Sequence, residues 1–318
     1  MEDIMTVLGR ISCKELGFCQ CHEHLLLSKG RSYELNPALC MEDIPKSTEE
    51  LVRYLNAGGT SIVDAQPIGC NRMTEELALI SEASGVHIVS STGFHKLSFY
   101  PDSHWIHSID AKDLAHIFIL ELTEGMFVNT EDYFPIRQCT LKAGIIKTAL
   151  DHEGLTPRYQ RLFHAAAAAS RKTGRPIMIH VEQNTDPLPL LHFLLGSGIK
   201  GCQMIFCHLD RACADLDVHL KIASAGAYLE YDTIGRFKYH SDEHEIRLIQ
   251  NLIQKGFEKQ LLISLDTTAG RLKSYDSTGI GLDYILHAFI PLMYSHKITQ
   301  EQIHLFTTVN PARALKRS

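Results

Sequence analysis

FCQCHEHLLL, residues 18–27, is the stretch from which the rest of the chain can be read. It is an apolar run interrupted by two histidines, His22 and His24, one residue apart. On a β-strand successive side chains point to opposite faces, so residues two apart share a face. His22 and His24 are therefore expected to point the same way, where two imidazoles can grip one metal ion. The same alternation puts Cys19 and Cys21 on the opposite face, as packed core thiols.

Seven more apolar runs follow at regular intervals: TSIVDAQ (60–66), VHIVSSTGF (86–94), AGIIKTAL (143–150), PIMIHVE (176–182), CQMIFCHLD (202–210), AYLEYDT (227–233) and QLLISLDTT (260–268). Between them lie helical patterns. One runs over 47–56, opened by Ser47 and Glu50 as a capping box and closed by Gly58-Gly59. Others cover 74–84, 110–125, 157–173 and 187–195, a stretch ending near 225, then 242–255, 282–294 and 299–306. The strands are almost continuously apolar, as expected when both faces are buried. Alternation of strand and helix argues for a parallel sheet, and eight units argue for a (β/α)8 TIM barrel. A short strand extension at 5–13 precedes it, and residues 1–318 read as one domain. An open doubly wound sheet is the competing architecture, but no GxGxxG follows the first strand. Ala165 to Ala169 is read as a helix face packed closely on the barrel.

The bulk numbers narrow the partners. The chain has 318 residues, a formal charge of -6 and 21% charged residues of both signs interspersed, without the basic face of a nucleic-acid binder. No apolar run approaches the ~20 residues of a membrane span. MEDIMTVLGR at the start lacks an apolar signal core, and nine scattered cysteines read as reduced thiols, so a cytoplasmic protein is expected.

Ionisable residues fall at the ends of the predicted strands: His22 and His24 in the first, Lys147 in the fourth, His180 in the fifth, His208 in the sixth and Asp266 in the eighth. In this fold the strands' C-terminal ends carry the site. Each residue alone has an ordinary explanation, as a hydrogen-bonded core histidine, a helix cap or a snorkelling lysine. Six at equivalent positions argue for convergence. Imidazole and carboxylate suit Zn²⁺ or a related first-row ion, and six groups exceed what one tetrahedral ion needs, suggesting two. An ammonium is a poor neighbour for cations, but burial near them favours the neutral amine. Such an amine can react with carbon dioxide to give a bridging carbamate.

TVLGRI and GFCQCHEHLLL at the start, AGIIKTA, IMIHVE and His208 in the middle, and SLDTT and NPARAL at the end together resemble the phosphotriesterase family of the amidohydrolase superfamily. The resemblance runs along almost the whole chain. It implies that His22, His24 and Asp266 hold the more buried of two divalent ions and that His180 and His208 hold the more exposed one. Zn²⁺ is expected, with Mn²⁺ or Co²⁺ also suited. Lys147, carboxylated on its Nζ, would bridge the ions together with a hydroxide that attacks the substrate. Asp266 would be the catalytic proton acceptor, and Glu23 a structural residue on the outer face of its strand.

The expected reaction is hydrolysis of an ester, lactone or phosphoester, with the strand-to-helix loops selecting a small anionic substrate. Arg236, Lys238 and Tyr239 follow the seventh strand; Arg271, Lys273 and Tyr275 follow the eighth. These loops resemble those of lactonases acting on phosphorylated sugar (furanose) lactones, with Lys238, Arg271 and Tyr275 as expected phosphate contacts. Solvated surface charge is the plain alternative for them. A phosphotriesterase or N-acyl-homoserine lactonase would instead show an apolar pocket, and a non-catalytic ligand-binding barrel would lack part of the donor set. The aromatic loop 95–105, with Phe99, Tyr100 and the single tryptophan, is read either as a lid or as a contact within a homodimer. His104, His107, His116, His164, His219 and His304 are read as surface or structural.

Overall fold

A computed structural model of the chain describes residues 3–317. The first elements are two short antiparallel strands, β1 (Asp3–Thr6) and β2 (Gly9–Ser12). Eight strands follow: β3 (Cys19–Glu23), β4 (Ser61–Asp64), β5 (His87–Gly93), β6 (Ile145–Leu150), β7 (Ile177–Val181), β8 (Met204–Cys207), β9 (Tyr228–Tyr231) and β10 (Leu261–Ile263). Each pairs in parallel with its sequence neighbour, giving one sheet in the order β3 to β10. With helices between the strands this is the expected (β/α)8 barrel. No helix among the described residues is long and apolar enough to cross a membrane.

The seam between β3 and β10 is closed in part by a side chain. Asp266 N donates to His22 O at 3.1 Å. The Glu23 carboxylate then accepts from Leu265 N (2.8 Å), Thr267 N (3.0 Å) and Thr267 Oγ1 (2.7 Å). Glu23 is fully buried, and its carboxylate takes the place of ladder bonds that β10, only three residues long, does not make.

The strand alternation assumed for residues 18–27 breaks at one point. Gln20 pairs with Ile62, but Glu23 pairs with Asp64, so three residues of β3 span two of β4. This is a β-bulge. It corrects the expected placement of Cys19 and Cys21. Both pack inside the barrel with Val63, Val89, Ile145, Met178, Ile205 and Leu262. The extra residue turns His22 to the same interior, so thiols and imidazoles are not on opposite faces.

The first long helix also departs from its expected start. It spans Ile44–Ala57, with Asp43 accepting from Lys46 N at 3.0 Å and Pro45 in its first turn, where a missing N–H costs nothing. Ser47 and Glu50 do not cap it, because buried tertiary partners claim them. Ser47 Oγ bonds Leu25 O at 2.8 Å, and Glu50 accepts from Ser274 N at 2.5 Å. The helices Thr74–Ser84, Ala111–Thr123, Pro157–Thr173, Leu188–Gly196, Leu216–Ser224 and Asp242–Gln254 lie close to their expected positions. Ala165, Ala166, Ala167 and Ala169 are buried, as the close-packed face predicts. The last two helices each contain a π-helical turn, Ile285–Phe289 and Leu305–Val309, immediately before Pro291 and Pro311. A proline there removes an N–H donor and crowds the preceding carbonyl, which the wider turn accommodates.

One glycine is required by close approach beside the site. Gly93 ends β5 at φ +104, and a Cβ there would lie 1.8 Å from Lys147 O, the atom that accepts from Phe94 N. We expect Gly93→Ala to combine a clash with a strained φ and to destabilise the protein by roughly 3 kcal/mol or more, read as a fall in the denaturation midpoint.

Candidate active site

The barrel gathers all six singled-out ionisable residues around one cavity, Lys147 from the middle of β6 and the other five from at or just past the C-terminal ends of their strands. Lys147 Nζ lies 3.0 Å from His22 Nε2. Asp266 Oδ1 is 3.8 Å from His22 Nε2 and 3.6 Å from His24 Nε2. The rings of His22 and His208 are 4.7 Å apart and those of His180 and His208 4.5 Å apart. His208 (φ 64) and Asp266 (φ 50) adopt left-handed backbone conformations without being glycine. Such conformations persist only where surrounding structure over-determines them, and they concentrate at functional sites.

Burial governs the charge states. It pushes His22, His208 and His180 below the ordinary imidazole value, His180 to about 4, with Lys147 pushing in the same direction. Burial also lowers Lys147 itself, despite nearby Cys207, Asp266, Asp232 and Glu230. Burial alone would raise Asp266, but Arg236 and the His24 hydrogen bond outweigh it and hold the carboxylate well below its usual range. Burial thus favours neutral imidazoles at His22, His180 and His208, and the neighbouring Arg236 cation favours an ionised carboxylate at Asp266, the forms that donate lone pairs to a metal.

These groups fit divalent cations. Donor atoms of His22, His24 and Asp266 lie within 4.8 Å of one another. His24 Nδ1 is buried with no hydrogen-bond partner. The donor set is nitrogen and oxygen, as first-row divalent ions prefer.

Asp232, just past β9, was not singled out from the sequence. Its Oδ1 accepts from His208 Nδ1 at 2.7 Å, and its Oδ2 lies 3.3 Å from His22 Nδ1. One buried carboxylate therefore orients the His208 imidazole and stands beside that of His22, whose Nδ1 makes no hydrogen bond. Its sequence mark is the one that drew attention to Asp266, an acidic residue closing an apolar strand.

A cavity of about 220 Å³ opens above these groups. Lys96, Arg211, Arg236 and Lys238 line it, together with His95, Phe99, Glu182 and Tyr239. Arg236 Nη2 is 3.2 Å and Arg211 Nη2 3.9 Å from Asp266 Oδ2. Lys96 pairs with Glu182, which lies 3.5 Å from His180 Nε2. Lys238 is exposed at the rim, 4.7 Å over the Tyr239 ring.

Two of the expected phosphate contacts are placed elsewhere. Arg271 donates to Ile234 O (2.7 Å) and Gly235 O (3.2 Å), so backbone carbonyls hold its two terminal nitrogens. Tyr275 OH is engaged by Ser47 Oγ (2.8 Å) and Asp43 O (2.9 Å). Neither lines the cavity; both tie loops together. Arg211 and Arg236 occupy the position expected of them.

The aromatic loop is also more buried than expected. Trp105 donates from Nε1 to Thr130 O at 2.9 Å, and Tyr100 OH accepts from His95 N at 2.9 Å. Only its first part, with His95 stacked 4.0 Å from Phe99, reaches the cavity. The large exposed apolar side chains are instead Tyr133, Phe134, Ile136 and Phe237, among others. His104 and His219 are buried and hydrogen-bonded, to Thr130 O and to Tyr231 OH respectively.

The phosphotriesterase family model matches residues 2–315, and the chain belongs to that family. It is 29% identical to a phospho-furanose lactonase of Mycoplasmopsis synoviae over 98% of this chain and 90% of that one. The fold superposes on an amidohydrolase structure from Mycoplasma synoviae with a TM-score of 0.95 at 28% identity, covering 100% of this chain and 92% of the other. It also matches the phosphotriesterase homology protein of Escherichia coli, solved with phosphate in its active site, at a TM-score of 0.84 and 26% identity, over 94% and 98% of the two chains.

Removing the carboxylate that orients the His208 imidazole has a direct consequence. Asp232→Ala is expected to weaken divalent-ion binding by about 10–100-fold, measured by competition with a chelator, while the fold is retained by circular dichroism.

Proposed function

We propose that this chain is a metal-dependent lactonase that opens a phosphorylated furanose lactone. The observation that carries this reading is the meeting, in one cavity, of six convergent donor groups and a cationic rim of Arg211, Arg236 and Lys238. The phospho-furanose lactonase relative and the phosphate-bound structural relative support it. A neutral organophosphate or an acyl-homoserine lactone would not need that rim, and a non-catalytic barrel would not need the full donor set.

In this reading His22, His24 and Asp266 hold the deeper ion, and His180 and His208 hold the outer one. Zn²⁺ is the preferred metal. The bound ions would supply Lewis-acid polarisation of the scissile carbonyl and lower the pKa of a water toward neutrality. The chain's own residues do the rest. Lys147, buried and drawn toward its neutral amine, adds carbon dioxide, forming an N–C bond and releasing a proton to give a carbamate. Asp232 keeps His208 in one tautomer and orientation. Asp266 takes the proton of the attacking water and passes it to the alkoxide that leaves as the ring opens. Arg236 and Arg211 keep that carboxylate ionised between turnovers. Lys238, with the same arginines, holds the phosphate and aligns the lactone carbonyl. Arg271 and Tyr275 act at one remove, by fixing the loops that carry this rim. The nine cysteines, scattered along the chain, support a reducing, cytoplasmic setting.

Two measurements test this. Purified protein should carry about two divalent ions per chain, and Lys147→Ala should lose activity and recover part of it with short-chain carboxylates; full activity in Lys147→Ala would overturn the bridging role. In a screen of furanose lactones, 5-phosphorylated substrates should exceed their unphosphorylated counterparts in kcat/KM by roughly 100-fold, about 2.7 kcal/mol, and Lys238→Ala should narrow that ratio. Equal rates on the two sets would remove the phosphate from the assignment.

A further inference from the structure

At the opposite end of the barrel lies a second cavity, of about 280 Å³. It sits between β1–β2, the C-terminal ends of helices Ala111–Thr123 and Pro157–Thr173, and the last described residues. Five cationic side chains line it, Arg10, Lys142, Lys172, Arg175 and Arg317, against the single lining carboxylate of Glu124. In a chain of net charge -6 this is a local reversal of sign.

Part of this charge has an internal use. The two helices present their partially negative ends here, and Lys172 lies in the last turn of one of them. Arg317 donates from Nε to Thr173 O at 3.0 Å. Arg175, Arg10 and Lys142 are not explained in this way. Arg175 is only 3% exposed, and among the described residues its guanidinium reaches Asp3, at 3.3 Å to Oδ1 and 3.4 Å to the backbone carbonyl. The same carboxylate faces Arg10 at 3.5 Å. Good charge-assisted bonds are ~2.7–2.9 Å long, so one carboxylate is stretched between two guanidinia. Burial, with Arg317 and Arg10 nearby, pushes the Arg175 guanidinium below its usual range, against the pull of Asp3. A buried cation this poorly paired is costly unless a further anion joins it.

We propose that this cavity binds a small phosphate-bearing anion, gripped by Arg175 with Arg10 and Lys142, at a site separate from the catalytic one. A dianion with several acceptor oxygens suits a cluster of guanidinium and ammonium groups better than a lone carboxylate does. An adjoining hollow of about 500 Å³ beneath β1–β2 shares Met5, Arg10 and Lys142, so an organic remainder has room. Active sites of this fold lie at the other face, so the site is one for binding.

Isothermal titration of the metal-loaded protein with inorganic phosphate and with glycerol 3-phosphate, at low salt, tests this independently of activity. The wild type should show two classes of site per chain. Lys142→Glu, at a half-buried residue, combined with Lys172→Glu, at an exposed one, should weaken one class at least fivefold, while Arg236→Ala should leave that class intact. Tighter binding of glycerol 3-phosphate assigns the site to a phosphate ester, and tighter binding of inorganic phosphate to the free ion. The absence of any class that the double substitution weakens at least fivefold and that Arg236→Ala leaves intact overturns the proposal. The lactone screen can fail without touching this result, and this titration can fail without touching the lactone assignment.

Discussion

Closure of the barrel at Glu23 is the constraint on which the site depends. β10 is short, and backbone pairing alone would leave Leu265 N and Thr267 N without partners in a buried seam. A buried unpaired amide costs about 1–3 kcal/mol, so the carboxylate that accepts from both is not replaceable by an apolar side chain. The same residue sits between His22 and His24. Binding the first strand to the last therefore sets the distance between those imidazoles and Asp266, although 242 residues separate Asp266 from His24.

A second constraint follows from putting so many ionisable groups where water is scarce. His22, His208, Lys147 and Asp232 are almost completely buried. Burial drives the imidazoles and the lysine toward their neutral forms. Arg236 and Arg211 at the cavity wall keep Asp266 anionic. The chemistry offered to a cation is thus prepared by the fold. Strain at His208 and Asp266 belongs to the same economy, since a left-handed backbone at these two positions aims their side chains inward.

The pattern of apolar runs and turns was sufficient to identify a parallel barrel, because each strand is buried on both faces and each connection carries a helix. The strand-end positions of His22, His24, Lys147, His180, His208 and Asp266 were legible for the same reason: an ionisable residue is conspicuous in an apolar run. Asp232 carried the same mark and was passed over, since its neighbours in sequence say nothing about which imidazoles it meets. The bulge in β3 was not legible, because one inserted residue leaves no trace in composition, yet it reverses which side Cys19 and Cys21 take. Ser47 with Glu50 matched a capping motif, but partners from residues 25, 274 and 275 claimed them instead.

The polar residues of the loops show the division most plainly. From sequence, Arg271 and Tyr275 were as good as Arg236 and better than Arg211, because all are polar residues on loops that follow strands. Only the packed loops decide among them. Arg271 finds two carbonyls of the neighbouring loop and Tyr275 finds Ser47, so neither turns to the cavity, while Arg236 and Arg211 meet Asp266 there. By itself the sequence determined the barrel, the family and the set of ionisable residues that meet in the cavity, since these rest on periodicity and residue type within strands. The tertiary structure decided which charges face the cavity, because a flexible cationic side chain goes to whichever acceptor the folded chain brings within reach.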